Sequence, residues 1–244
     1  MKQKKLFDQW IKSSTAEKIT SYPFEIDPQT YAVFSNAMYF GAKWKDAFFY
    51  PANISKESFH GLSGDTEVDM MTGAGSAYAI KIGDMTYLNI PFGNGAFNFE
   101  VFLPDSESDI RQKLSLLDPG QLSELRSSAK RGPVKVKIPK FHLTQKNDLR
   151  EILTQMGFEK LLGVVDISMF TSPESGAIEI SQLADFAIDE KGVEIQVVSN
   201  GVMAPTANLQ PVEVEEVIVN RPFLFMVSNS DTETVLLSGQ IVDF

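Results

Sequence analysis

Cysteine is absent from this 244-residue chain, and histidine occurs only twice, at His60 and His142. Without thiols there is no disulfide framework and no thiolate nucleophile, and two imidazoles leave little from which to build a metal site. Basic residues are in deficit as well: 22 Lys and Arg stand against 32 Asp and Glu, a formal net charge of -10. Such a surface repels nucleic acid and anionic lipid, which excludes a basic-groove function. No stretch approaches the roughly 18 apolar residues of a membrane-spanning helix. Met1–Trp10 carries charges but no apolar core of signal-peptide length, so either the protein is cytosolic or its true N-terminus lies upstream.

The common catalytic signatures are missing too. A nucleophile elbow needs Gly-x-Ser-x-Gly, and Gly61-Leu-Ser-Gly64 is one residue short of it. Gly93-Asn-Gly95 lacks the third glycine and following helix of a dinucleotide fingerprint, and no phosphate loop occurs. His142 leaves a strand in Lys140-Phe-His-Leu, where a surface or hydrogen-bonded imidazole is the ordinary finding. An enzyme is therefore disfavoured; a hydrolase would have to rely on Ser63 or His142.

What remains is ordinary globular composition, 43% hydrophobic and 22% charged, with a core to bury. Leu6, Phe7, Trp10 and Ile11 have one-stripe helical spacing within Leu6 to Ile19, which Ser13-Ser14-Thr15 weakens, so the stretch reads as one short amphipathic helix. Tyr31 to Phe40 is nearly all apolar or small and reads as a strand buried on both faces. Glu57 to Met71, Ser76 to Ile90 and Ala96 to Leu103 read as strands, and Asp65, Glu67 and Asp69 share one side of theirs, a solvated face rather than a cation site. Asp109 to Leu117 and Pro119 to Ser127 have helical spacing. Val134-Lys-Val-Lys-Ile138 alternates as a half-buried strand. Asn147-Asp148 caps a helix with the stripe Leu149, Ile152, Leu153 and Met156, stopped by Gly157. Ile178 to Ile188, Phe223 to Val227 and Thr234 to Val242 are further strands, the last two joined at Asn229-Ser-Asp. The fold class is α+β, with strands outnumbering helices.

The organising stretch is Asp189 to Phe225. From Val193 to Ser199 the chain alternates, with Val193, Ile195 and Val197 on one face and Glu194 and Gln196 on the other. Asn200 to Pro211 then has two prolines, a glycine, two asparagines and no periodicity, which reads as a loop. One segment is built to be a strand in one state and a loop in another.

Several segments, in order, resemble the serpin family. Asn36-Ala-Met-Tyr-Phe-Gly-Ala-Lys-Trp44 is similar to the third strand of the family's central sheet and its tryptophan. Val136-Lys-Ile-Pro-Lys-Phe141 and the Asp148-Leu149 helix resemble its sixth strand and the helix after it. Asp189-Glu-Lys-Gly192 resembles the hinge, and Val219-Asn-Arg-Pro-Phe-Leu-Phe225 the signature after the reactive loop. The resemblance implies a single serpin-type domain over 1–244, with mixed large β-sheets, few helices and a reactive-centre loop over 193–216. It also implies that the chain is truncated, lacking the N-terminal third. The sheet edge along Tyr31 to Phe40 would then need that missing part, a second copy or a partner to cover it.

The resemblance further implies a protease inhibitor acting as a suicide substrate: the loop is cut, and its hinge end inserts into the central sheet. A dozen new strand residues at about 0.5–1.5 kcal/mol per hydrogen bond give on the order of 10 kcal/mol, comparable with a domain's whole stability of about 5–15 kcal/mol. The hinge would comprise Glu190, Gly192, Val193, Glu194, Ile195 and Val197. By the same resemblance the bait would lie among Thr206, Ala207, Asn208, Leu209 and Gln210. Lys140 and Glu190 would form an ion pair beside Trp44 where insertion starts, and Asn36 and Gln182 would stand mid-sheet. Efficient inhibitors of the family carry small residues after the hinge glycine, whereas Val193 and Ile195-Gln-Val-Val198 are bulky. The alternative is thus a non-inhibitory serpin-like binding or structural protein whose loop is merely a substrate. With no Lys or Arg from Val193 to Asn220, an elastase- or chymotrypsin-like protease is the expected partner rather than a trypsin-like one. No cofactor, metal, nucleic acid or membrane is implied, and the complete protein is expected to be extracellular or periplasmic.

Overall fold

The computed structural model describes residues 2–21, 30–106, 110, 118–161, 165–166, 175–193 and 215–244. In chain order its helices are α1 (Lys2–Ser14), α2 (Pro119–Ser128) and α3 (Arg150–Gln155). The strands begin with β1 (Thr30–Tyr39), β2 (Ala42–Lys43), β3 (Phe49–Gly61), β4 (Gly64–Ile82), β5 (Met85–Phe92), β6 (Phe97–Pro104) and β7 (Lys130–Pro139). They continue with β8 (Phe141–Asp148), β9 (Val165–Asp166), β10 (Ser175–Asp189), β11 (Gly192–Val193), β12 (Glu215–Ile218), β13 (Phe223–Asn229) and β14 (Val235–Ile241). The chain forms two compact units, Met1–Phe40 with His142–Ala187, and Gly41–Phe141 with Ile188–Phe244.

In the first unit α1 is the short helix that its pattern predicts, ending at Ser14 within the Ser13-Ser14-Thr15 run. Thr15 stops it: the hydroxyl donates to Ile11 O (2.7 Å) and accepts from Ile19 N (3.1 Å), while Ala16 and Glu17 adopt positive φ, which ends a helix. Only part of the predicted stripe faces inward. Ile11, Ile19 and Leu183 form a buried cluster with Phe7, Val33 and Ala37 against it, whereas Leu6 and Trp10 are exposed.

Strand β1 runs parallel to β10, from Ala32 opposite Ile178 to Tyr39 opposite Asp185. The expectation of burial on both faces fails for it. Val33 and Ala37 point into the α1 cluster, but Phe34 is 57% exposed on the other side. Strand β1 ends the strand order of its sheet, so the predicted open edge is present among the described residues. Strands β8 and β9 also pair with β10. Helix α3 keeps its predicted Gly157 stop, φ 87°. Its N-cap position is Leu149, which makes no side-chain cap, and Asp148, one residue earlier, accepts from Arg150 N (3.1 Å). Its apolar stripe is not covered by described residues, for Ile152 and Met156 are exposed.

The second unit is an eight-stranded sheet in the order β12-β7-β4-β5-β6-β13-β14, with β3 also on β4. Two predicted strands are each two strands. Gly61 pairs with Gly64 across a hairpin at Leu62-Ser63, and Ile82 pairs with Met85 across the Gly83-Asp84 turn, Gly83 having φ 60°. Glycine supplies such turns without steric cost. Val134, Val136 and Ile138 are buried as their alternation predicts. The Val136 to Phe141 motif, however, is not one strand: β7 ends at Pro139 on β4, and β8 begins at Phe141. Proline donates nothing to a ladder and so suits the corner.

Two acids of the row have partners across the strands, Asp65 a hydrogen bond with His60 (2.8 Å) and Asp69 an ion pair with Lys56 (3.0 Å), as a solvated face allows. Helix α2 starts on a capping box in which Asp118 accepts from Gln121 N and Pro119 leads the helix. Its Leu125 packs on Met85, Tyr87, Phe102 and Leu224. The predicted helix at Asp109 to Leu117 lies outside the described residues apart from Ile110. Strands β13 and β14 form the predicted hairpin, its turn held by Asn229, which accepts from Asp231 N and Thr232 N.

Candidate functional site

Within the second unit, the end of β10 folds back through Glu190-Lys191 into β11. Aspartate makes this turn by satisfying the backbone donors of the two residues that follow its corner. Asp189 Oδ1 accepts from Lys191 N (2.7 Å) and Gly192 N (3.1 Å). Strand β11 pairs antiparallel with β10, Val193 opposite Ile188, and antiparallel with β2, Gly192 opposite Lys43 and Val193 opposite Ala42. Val193 is thereby buried.

Gly192 has no substitute here. Its φ is 126°, and a Cβ would collide with Ala42 O and come within 2.7 Å of Lys43 Cα and 2.9 Å of Trp44 N. All three are backbone atoms, which cannot swing aside as a side chain can.

Trp44 locks the turn from behind. Its indole Nε1 donates to Asp189 O (2.7 Å), and its own N–H donates to Lys191 O (3.3 Å). The ring is 4% exposed, stacked on Phe92 at 4.8 Å and edge-on to Phe49 and Phe99 at 5.3 and 5.7 Å. Indole prefers such a site, an apolar pocket with one polar partner for its N–H.

Lys140, at the corner between β7 and β8, places its ammonium 2.6 Å from Glu190 Oε2. The Lys140 side chain is 32% exposed and that of Glu190 only 11%. Burial works against the Glu190 charge, but the Lys140 ammonium, a backbone N–H and the nearby Lys191 outweigh it, so its pKa falls below the ordinary 4.5. The predicted pair thus exists, and more shielded than a surface pair.

The structure therefore brings Trp44, Lys140, Glu190, Gly192 and Val193 together. In the first unit it places Asn36 opposite Gln182 on β1 and β10, one step from Ser35 opposite Ser181, whose hydroxyls are 3.3 Å apart. Glu194, Ile195, Val197, Thr206, Ala207, Asn208, Leu209 and Gln210 lie outside the described residues. Glu215 and Glu216, counted with the loop in sequence, already belong to β12, which runs parallel to β7 with Glu215 opposite Val134. The segment is thus anchored at both ends.

The far anchor is secured by Val219-Asn-Arg-Pro-Phe. Val219 N donates to Lys137 O (2.8 Å), Asn220 O accepts from His60 N (2.8 Å), and Arg221 Nε donates to Pro104 O (2.7 Å). Phe223 and Phe225 are buried. Sequence reasoning missed β2 as the partner of the hinge. The Asp-x-x-Gly spacing signals a turn but not what it packs on. His142 is a hydrogen-bonded surface histidine, as expected: it lies in the first unit, 3.1 Å from each carboxylate oxygen of Asp185.

The profile of the serpin (serine protease inhibitor) family matches residues 1–244. Among curated proteins, an uncharacterized serpin-like protein of Thermococcus kodakarensis is 25% identical over 97% of this chain and 55% of its own length. Iripin-5 of Ixodes ricinus is 28% identical over 96% of this chain and 60% of its own. The native-state crystal structure of the thermophilic serpin tengpin superposes with a TM-score of 0.83 at 22% identity, covering 100% of this chain and 63% of that one. The chain spans about three-fifths of the length of these relatives.

Proposed function

The chain belongs to the serpin family, a family of inhibitors and not of enzymes, and from that premise we propose that it is the bait-bearing part of a protease inhibitor acting as a suicide substrate. The observation that carries this reading is the register at β11. Continued antiparallel to β10 beyond Val193 opposite Ile188, the chain would set Ile195 opposite Phe186, Val197 opposite Ala184 and Ser199 opposite Gln182. Continued from Val193 opposite Ala42 along the other side, it would set Ser199 opposite Asn36. Asn36 and Gln182 are themselves partners, so both sides ask for the same register without a slip.

The faces agree as well. Directly opposed residues of an antiparallel pair point to the same side, and Ile188 and Phe186 are buried. Val193 and Ile195 would join them, and Val198 would fall opposite buried Leu183. A sequence that alternates to fit a neighbour it must still reach is what loop insertion requires.

The proposed partner is an elastase- or chymotrypsin-like protease, because Val193 to Asn220 contains no basic residue. The proposed location of the complete protein is extracellular or periplasmic, where such proteases act; fractionation of the source cells checks it. Incubation of the complete protein with elastase is the main test. A covalent complex that survives denaturing electrophoresis, with a raised thermal midpoint of the cleaved protein, is expected; clean cleavage without complex and with an unchanged midpoint overturns the proposal.

One observation favours a second reading. Beyond the seated Val193, the next residues that would enter the sheet include Ile195, Val197 and Val198, all β-branched and bulky, and a slow insertion lets the protease hydrolyse the loop and leave. A non-inhibitory binding or structural protein would then show cleavage alone.

A further inference from the structure

Away from the hinge, the second unit carries a pattern on β3 that inhibition does not use. Of the ten asparagines in the chain, only Asn53 is followed two positions later by a serine or threonine with no proline between, in Asn53-Ile-Ser55. That tripeptide is the acceptor pattern for N-linked glycans, and it serves only on the surface of an exported protein. Such a tripeptide also recurs by chance, so its presentation by the fold decides.

Strand β3 leaves its partner at this point. Phe49 stands opposite Gly73 and Ile54 opposite Met71, so β3 spends four residues, 50–53, where β4 spends only Thr72. The surplus is squeezed out of the ladder and left unpaired, as the extra residue of a bulge is. Pro51, within this arch, has no N–H to offer a neighbouring strand. Among the described strands β3 pairs with β4 alone, which leaves its outer side open.

The side chains agree with the backbone. Tyr50, Pro51, Ala52 and Asn53 are exposed, Ile54 is half-buried, and Ser55 is exposed again. Alternation therefore puts the Asn53 carboxamide and the Ser55 hydroxyl on one outward face, where a single enzyme can read both. Ser55 Oγ donates to Glu57 Oε1 at 2.8 Å, and Glu57 is itself held by Lys137 at 2.8 and 3.0 Å. The hydroxyl is thus oriented while its oxygen is still able to accept. At the base of the arch, Phe49 is buried and lies edge-on to Trp44 at 5.3 Å, so the arch rises from a fixed point.

We propose that Asn53 is a glycosylation site, the acceptor of an oligosaccharide carried on a polyprenyl diphosphate, and that the folded arch presents it without unfolding. In the transfer a bond forms between Asn53 Nδ2 and the anomeric carbon of the first sugar. The bond from that carbon to the diphosphate oxygen breaks, the lipid diphosphate leaves, and the amide proton passes to a base of the transferase. Because such lipids present their sugars outside the cytosol, the modification depends on the export proposed above.

Incubating the folded complete protein with oligosaccharyl transferase and a lipid-linked oligosaccharide, then weighing the tryptic peptide 46–56, tests the acceptor apart from the location. The peptide gains the glycan at a rate within tenfold of that of a synthetic peptide of the same sequence, Asn53→Gln gains none, and Ser55→Ala slows the reaction at least tenfold. No glycan on the folded protein, a rate more than tenfold below that of the free peptide, or a glycan that persists in Asn53→Gln overturns the proposal. The peptide from protein recovered outside the source cells carries the glycan, which peptide N-glycosidase removes with conversion of Asn53 to Asp. A bare Asn53 on exported protein also overturns the proposal, whereas protein found only inside the cells overturns the location and leaves the acceptor to be decided by the transferase assay.

Discussion

Replacing Gly192 by alanine tests the hinge most directly. The added Cβ meets three backbone atoms, Ala42 O, Lys43 Cα and Trp44 N, at a φ of 126°, so β11 cannot stay seated between β10 and β2. Undocking exposes Val193, now 2% exposed, at about 1.5–3 kcal/mol for a buried aliphatic side chain. It also gives up backbone hydrogen bonds, Trp44 N to Lys191 O among them, at about 1 kcal/mol each. The sum is about 3–5 kcal/mol, a local loss that need not unfold the sheet. Amide hydrogen exchange at Val193 and Trp44 should therefore accelerate by about a hundredfold to a thousandfold, at 1.4 kcal/mol per decade. Trp44 emission should shift toward the red as the indole loses its Asp189 partner, against the constant background of exposed Trp10. Unchanged protection at both amides would mean that the glycine is dispensable and that the hinge is not anchored as described.

Lys140→Ala removes the partner of Glu190; because Lys140 is about one-third exposed, the loss should be limited to about 1 kcal/mol of thermal stability, and Lys140→Arg should restore most of it. The same pair sets a pH dependence. Glu190 has a folded pKa below its ordinary 4.5, so its contribution is complete above pH 4.5 and is lost as pH falls through the lowered value; the difference in thermal midpoint between the parent and Lys140→Ala should shrink only in that acid range, and a difference as large at pH 3 as at pH 6 would contradict it. Arg126→Met strands the buried Glu100 carboxylate and should cost about 3–5 kcal/mol, or about 6–20 °C in thermal midpoint. The double change Arg126→Met with Glu100→Gln should recover most of that loss, and a double variant no better than the single one would refute the pairing. Trp44→Phe keeps the ring contacts but drops the indole donor, and should cost about 1–2 kcal/mol, seen as a lower midpoint with retained fold.

Most strands were legible because their alternation survives in the residues. Val134-Lys-Val-Lys-Ile138 buries its valines and isoleucine as written, and the Phe223 and Val235 arms pair across Asn229 as the turn chemistry demands. The misses share a cause. Gly83-Asp84 is a two-residue turn inside a strand-like run, where a break in period is too short to register, whereas the turn-like Gly61 to Gly64 stretch does close a hairpin. The end of α1 at Ser13-Ser14-Thr15 was legible, while the choice of Ile11 and Ile19 as partners of the Thr15 hydroxyl is invisible in a stripe count. Phe34 showed that an apolar run states what a strand could bury, and not which face a neighbour covers.

At the hinge, the division is clear. The residue order alone determined that Asp189 and Gly192 are spaced for a turn and that no Lys or Arg occurs from Val193 to Asn220, since these depend on spacing and type within a short stretch. Only the tertiary structure decided that Gly192 presses against the backbone of Ala42 to Trp44, and that Trp44 donates to Asp189 from 145 positions away. Those facts arise from surfaces meeting across long separations in the chain, where local pattern carries no record of the partner.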